Sequence, residues 1–248
     1  MSPVHPAVAR RLFFRHRYRV TAVAAALAAN AGFVNGVALG LTDHPVSHHT
    51  GSIARLGQDL VFRRAPDLAL VLSLVAAFFV GAMAAGGIVG TRRLLPGRRY
   101  GAVLLVEGVC LALSAALFGA DRRAALLLAA AACGLQNGMA NNFYGVVVRT
   151  THLSGLITDL GVLTGHWLTR RAVEGWRALF QGSIVAGFVA GAVGGAFAAR
   201  YGGPSALAGP ALLCTAGGVG YLAWMSRQRR RVSAASAPPR SPPPRAVP

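Results

Sequence analysis

Six stretches of this chain are apolar for about the length that a helix needs to cross a bilayer: roughly 20–41, 68–90, 101–120, 124–148, 179–199 and 205–225. A spanning helix takes ~20 mostly apolar residues, because each adds ~1.5 Å across a hydrocarbon core ~30 Å thick. The backbone inside such a core must satisfy its own hydrogen bonds, which leaves helices or closed barrels. Runs this long fit helices. The predicted fold is therefore all-α, a polytopic membrane helix bundle of about six transmembrane helices. With 54% hydrophobic and 13% charged residues, the composition agrees; a soluble domain carries ~25% charged residues.

Charge decides between two readings of a basic chain. A net charge of +18 from 25 Arg and no Lys would indicate nucleic acid on a soluble protein. With the N-terminus cytoplasmic and six spans following, 19 of the 25 Arg fall on the cytoplasmic side, as the positive-inside rule requires. The partners expected from charge are thus the lipid bilayer and anionic lipid at the cytoplasmic face, not nucleic acid. Cys110, Cys133 and Cys214 all lie within apolar runs and read as small core residues.

Against this background one polar stretch stands out. Val46 to Gly57 reads VSHHTGSIARLG, and Thr150 to Gly161 returns as TTHLSGLITDLG. AANAGFVNG at Ala28–Gly36 likewise aligns with AAACGLQNG at Ala130–Gly138, five of nine positions being identical, and SHHTGSIARLG shares five of eleven with THLSGLITDLG. The ladder Ala77, Gly81, Ala85 lines up with Gly187, Gly191, Gly195. The same elements recur in the same order, which reads as an internal duplication. Four segments follow: a basic lead 1–19, a three-helix repeat 20–120, a second repeat 121–225, and a disordered Arg/Pro-rich tail 226–248. Because each half holds three spans, the second would enter the membrane in the opposite sense. Such inverted repeats build many secondary transporters around a site at the midplane.

GFVNG followed by HHTG and LG, then GLQNG followed by VVRTTHLSG and DLG, resembles the YoaK-like family of bacterial integral membrane proteins, a domain of unknown function. The resemblance covers about Thr21 to Met225. It implies a multi-pass protein of the bacterial inner (plasma) membrane and, more loosely, transport of an unestablished substrate. The family usually reads Thr-Gly-Asn where this chain has Thr50, Gly51 and Ser52, and Ser154 stands for Thr in the second motif.

The candidate site residues come from the repeated stretches. Gly51 and Gly155 permit a kink or an unwound turn, and His48, His49, Thr50, Arg55, His152, Ser154 and Asp159 are too polar to face lipid. Each stretch, 46–61 and 150–168, is open to three placements: an interfacial connector helix, a re-entrant segment at a binding site, or an extra span. Arg55 and Asp159 occupy equivalent positions before Leu-Gly and would pair if the halves met about a two-fold axis. Asn35 and Asn137 are equivalent within their spans, with Gln136 beside the latter, and serve either as interhelical glue or as substrate or ion contacts. Glu107, the one acid clearly inside an uninterrupted span, is a proton-coupling candidate or a structural carboxylic acid. No nucleophile elbow, phosphate loop or metalloprotease motif occurs. No enzyme activity, cofactor or metal site is expected. The leading expectation is a transporter of a small solute or ion; the alternative is a non-transporting interaction or scaffold protein.

Overall fold

The computed structural model describes residues 6–62, 65–90, 97–141 and 148–235. It is all-α. The described residues form α1 (Pro6–Thr42), α2 (Thr50–Val61), α3 (Ala65–Val89), α4 (Arg98–Leu117), α5 (Arg122–Ala140), α6 (Leu153–Leu168), α7 (Gly175–Gly202), a 3-10 turn (Gly203–Leu207) and α8 (Ala208–Ala235). Among the described residues, four stretches are long and apolar enough to cross a membrane: Phe14–Thr42, Leu68–Val89, Arg98–Leu117 and Gly175–Arg230. The last runs through α7, the turn and α8. Its two helices part at Gly203, whose φ of +56° suits a glycine, and at Pro204.

Local chemistry explains the ends. Helix α1 stops where Asp43 takes a φ of +60° and Pro45 disfavours helix in the residue before it. The Asp121 carboxylate caps α5 by accepting from the Ala124 amide at 2.9 Å. At its other end α5 stops at Ala140 with Asn141 as its cap. It is thus shorter than the 124–148 run predicts, because the Asn141-Asn142 pair interrupts the apolar sequence. Residues 142–147 lie outside the described residues. The tail differs from expectation in the opposite direction. Residues 226–235 continue α8 as helix; the arginines there are good helix formers and the first proline is Pro238. Residues 236–248 lie outside the described residues.

The packing follows a regular scheme. Helix α1 lies along α7, α3 along α5, and α4 along α8, while α2 rests on α3 and α6 on α7. Glycines bring the backbones together. Gly32 and Gly36 of α1 face the carbonyls of Phe188 and Ala192 on α7; their aligned counterparts Gly134 and Gly138 of α5 face those of Phe78 and Ala82 on α3. In return Gly191 meets the Ala29 carbonyl and Gly81 that of Ala131. At each place the contacts are matched by those between the aligned residues of the other half.

The outer surface is apolar. Phe79, Val80 and Met83 on α3 and Val189, Val193 and Phe197 on α7 are each half or more exposed, whereas Asn30, Glu107, Gln136 and Ser114 are buried. An aqueous protein seldom leaves so much apolar surface outside; a bilayer accounts for it.

The glycine contacts predict opposite outcomes for similar changes. At Gly191, where a Cβ would run into the Ala29 carbonyl, Gly191→Ala should destabilise by about 1–3 kcal/mol. At Gly86, with open space beside it, Gly86→Ala should be neutral or stabilising by up to ~1 kcal/mol. Thermal melts of the purified protein in detergent distinguish the two.

Candidate functional site

The two polar stretches meet. Ser47, His48, His49 and Thr50 from the first and Thr151, His152, Leu153 and Ser154 from the second line one open cavity of about 520 Å³ together with Ile53, Phe78 and Phe188. That volume lies in the range of small-molecule sites. The helices that follow are too short to span: α2 has 12 residues and α6 has 16, or about 18 and 24 Å at ~1.5 Å per residue. The extra-span placement does not hold. Gly51 sits in the first turn of α2 with open space around it, whereas a Cβ at Gly155 would collide with the His152 ring.

Asparagines fix the entry to each short helix. Asn35 Oδ1 accepts from the amides of Val46 at 3.1 Å and Ser47 at 3.2 Å. Asn137 Oδ1 accepts from the hydroxyls of Thr150 at 3.3 Å and Thr151 at 3.2 Å. In each half a carboxamide projecting from a long helix ties down the chain two to four residues before the repeated glycine-containing helix. These bonds of Asn35 and Asn137 join a helix to the chain segment that leads into the next helix, rather than helix to helix.

Several polar atoms of the wall have no partner. The Ser47 hydroxyl and both His49 ring nitrogens are buried without a hydrogen bond, at a cost of about 1–3 kcal/mol each. The His49 ring is edge-on to Phe78 at 4.9 Å, and that of His48 to Phe188 at 6.4 Å. Burial holds the His49 imidazole down at about 4, with nearby His48 adding to the effect; burial also lowers His48.

Behind the cavity lies a buried polar chain. Gln136 Nε2 donates to Thr150 Oγ1 at 3.2 Å and to the Leu27 carbonyl at 2.9 Å. Asn30 Nδ2 donates to Gln136 Oε1 at 3.0 Å and to Glu107 Oε1 at 3.1 Å. Hydrogen bonds therefore connect the cavity wall to Glu107. Sequence reasoning singled out Glu107, Gln136 and Asn137 but missed Asn30, which joins them. Its signal was a lone amide in an Ala-rich span, overlooked because the second half has Ala132 at the aligned position. Phe78 and Phe188, which line the cavity, were missed as well; they are equivalent in the two ladders.

Asp159 stands elsewhere. It accepts from Gln181 Nε2 at 2.9 Å and lines a second cavity of about 520 Å³ with Arg149, Trp176 and Arg177. The side chain of Arg55, its expected partner, lies outside the described residues. Helices α2 and α6 do not pack on each other among the described residues. His152 borders both cavities. Among the described residues no group of three or more His, Cys, Asp or Glu is placed to hold a metal ion.

A family model described as "Protein of unknown function (DUF1275)" matches residues 23–220. The chain belongs to this family. The DUF1275 match takes in both polar stretches and every helix that bears on the cavity. No curated protein and no solved structure matches the chain.

Two predictions concern the cavity wall. Asn35→Ala leaves the Val46 and Ser47 amides without their acceptor and should cost about 1–3 kcal/mol in a detergent melt; unchanged melting would mean that the entry is held otherwise. Because His49 is depressed from 6.5 to about 4 in the folded protein, the unfolded chain takes up a proton first as pH falls. Stability due to neutral His49 is thus complete above about 6.5 and is lost on acidification toward 4. Melts between pH 7 and 4.5 should fall less steeply for His49→Leu than for the parent.

Proposed function

We propose that this DUF1275 protein transports a small solute or ion through a site formed between its two halves. The observation that carries this reading is the cavity built from both repeated stretches, with Thr50 and Ser154 on its wall and unpartnered polar atoms at Ser47 and His49. Buried polar atoms with unmet hydrogen bonds, set in the wall of an open cavity, are suited to a ligand that supplies them. His48, His49, Thr50, His152 and Ser154 would contact the solute. Asn35 and Asn137 would hold the wall, and Gln136 would relay its state to Glu107.

The finer architecture belongs to the same proposal. The halves act as inverted three-helix repeats, each with a short interfacial or re-entrant helix, in the bacterial inner membrane with both termini cytoplasmic. The reciprocal glycine contacts and the matched Asn anchors support a two-fold relation. The distribution of Arg supports the orientation. The likeness to YoaK-like membrane proteins supports the location. Arg149 and Arg177 beside the second cavity would draw anionic lipid or an anionic solute to one face.

Uptake into vesicles carrying the protein, scored against a panel of labelled small solutes, tests transport. Glu107→Gln and His48→Ala should each abolish uptake of the accepted solute while leaving melting and monodispersity intact. If no solute in the panel accumulates above empty vesicles, and neither change alters any property of cells lacking and re-expressing the protein, the scaffold alternative replaces transport.

A further inference from the structure

At the junction of α1, α4, α5 and α8, the two hydrogens of the Asn30 amide go to Glu107 Oε1 at 3.1 Å and Gln136 Oε1 at 3.0 Å. The Cys214 sulfur lies 3.4 Å from the same nitrogen. All of this is interior: Glu107 is 1% exposed, Asn30 6% and Gln136 0%. Two oxygens remain over, Glu107 Oε2 and Asn30 Oδ1, and both are buried without a partner. Each is an acceptor, so neither satisfies the other. Among the described residues the ion pair formed is Arg177–Glu174, and no cation pairs with Glu107.

A carboxylate buried without a counter-ion costs several kcal/mol, and each orphaned acceptor about 1–3 kcal/mol more. One proton removes these costs together. Placed on Glu107 Oε2, it neutralises the carboxyl and becomes the donor that Asn30 Oδ1 lacks. The result is the two-point ring of a carboxylic acid with a primary amide: N–H to one carboxyl oxygen, and O–H to the amide oxygen. We infer that Asn30 and Glu107 together form a proton site inside the bundle, with the proton carried on Glu107 Oε2 and donated to Asn30 Oδ1.

The surroundings supply no substitute charge. The titratable groups beside Glu107 are Cys133 from α5, Cys214 from α8, whose thiol hydrogen-bonds the carboxyl, and Cys110 from its own helix; a thiol supplies no cation. Helix α1 presents Asn30, and residues 68–89 of α3 carry no titratable side chain. When the proton leaves, two electron-rich oxygens face each other and the ring opens. Asn30 also holds Gln136, and Gln136 holds Thr150 beside the cavity. Proton occupancy is thereby communicated to the cavity wall, which makes this the coupling-ion site of the proposed transporter. In that role it rests on the transport reading; as a proton site it does not.

Infrared spectroscopy of the full chain in lipid nanodiscs tests it. At neutral pH the wild type should show the C=O band of a protonated carboxylic acid that is lost in Glu107→Gln. In Asn30→Leu, which removes the acceptor, the band should move to higher frequency. Gln in place of Glu107 offers an N–H where the proton was, so Glu107→Gln should melt like the wild type and Glu107→Ala well below it. A wild-type spectrum without a Glu107-dependent protonated band at neutral pH, or Glu107→Gln melting as low as Glu107→Ala, overturns the site. Either result leaves the uptake assay to decide transport separately.

Discussion

Helices α1, α3, α5 and α7 approach one another backbone to backbone at glycines, and the placement of the polar groups follows from that approach. In lipid there is no hydrophobic gain from bringing two helices together, so close packing has to supply the attraction. Gly32 and Gly36 against α7, and Gly134 and Gly138 against α3, allow it. The same closeness carries the loop after α1 and the loop before α6 to a common place. The two polar stretches can then share one cavity wall, although among the described residues the helices they introduce do not pack on each other.

Many of the buried polar groups of this bundle are bonded by side chains that reach to another segment of the chain. Asn35 and Asn137 each turn an amide oxygen toward the chain entering the short helix of their own half. Gln136 and Asn30 run crosswise and bind α5 to α1 and α4. Interhelical bonds of this kind average only ~0.6 kcal/mol, so their value lies less in stability than in fixing where the cavity wall stands. Among the described residues most of the exceptions fall in two places, Ser47 and His49 in the wall and Asn30 and Glu107 behind it, with Gln181 Oε1 apart from both at the second cavity.

Much of this was legible in the residues. Apolar length gave the helices, Asp43 to Pro45 marked the end of the first, and the paired glycine-containing stretches announced that they act together. The apolar run to 148 overstated α5, which ends at Ala140, although the Asn141-Asn142 pair in the sequence already marked a place for it to open. The sequence could not show that Ser226 to Ala235 would stay helical, since that depends on the absence of a breaker rather than on apolar character. Asn30 was hidden because duplication directed the search to matched pairs, and Asn30 faces a helix junction whose counterpart uses alanine. Asp159 was assigned to Arg55 by symmetry alone; its carboxylate accepts from Gln181, and the side chain of Arg55 lies outside the described residues.

The account stands on both stretches belonging to one site. With the native cysteines replaced, Thr50→Cys and Ser154→Cys can be introduced together and treated with a short bifunctional thiol reagent. The account predicts efficient intramolecular cross-linking of the pair in membranes and protection of both thiols by an accepted solute. Cysteines that label independently from opposite sides of the membrane and never cross-link would contradict it.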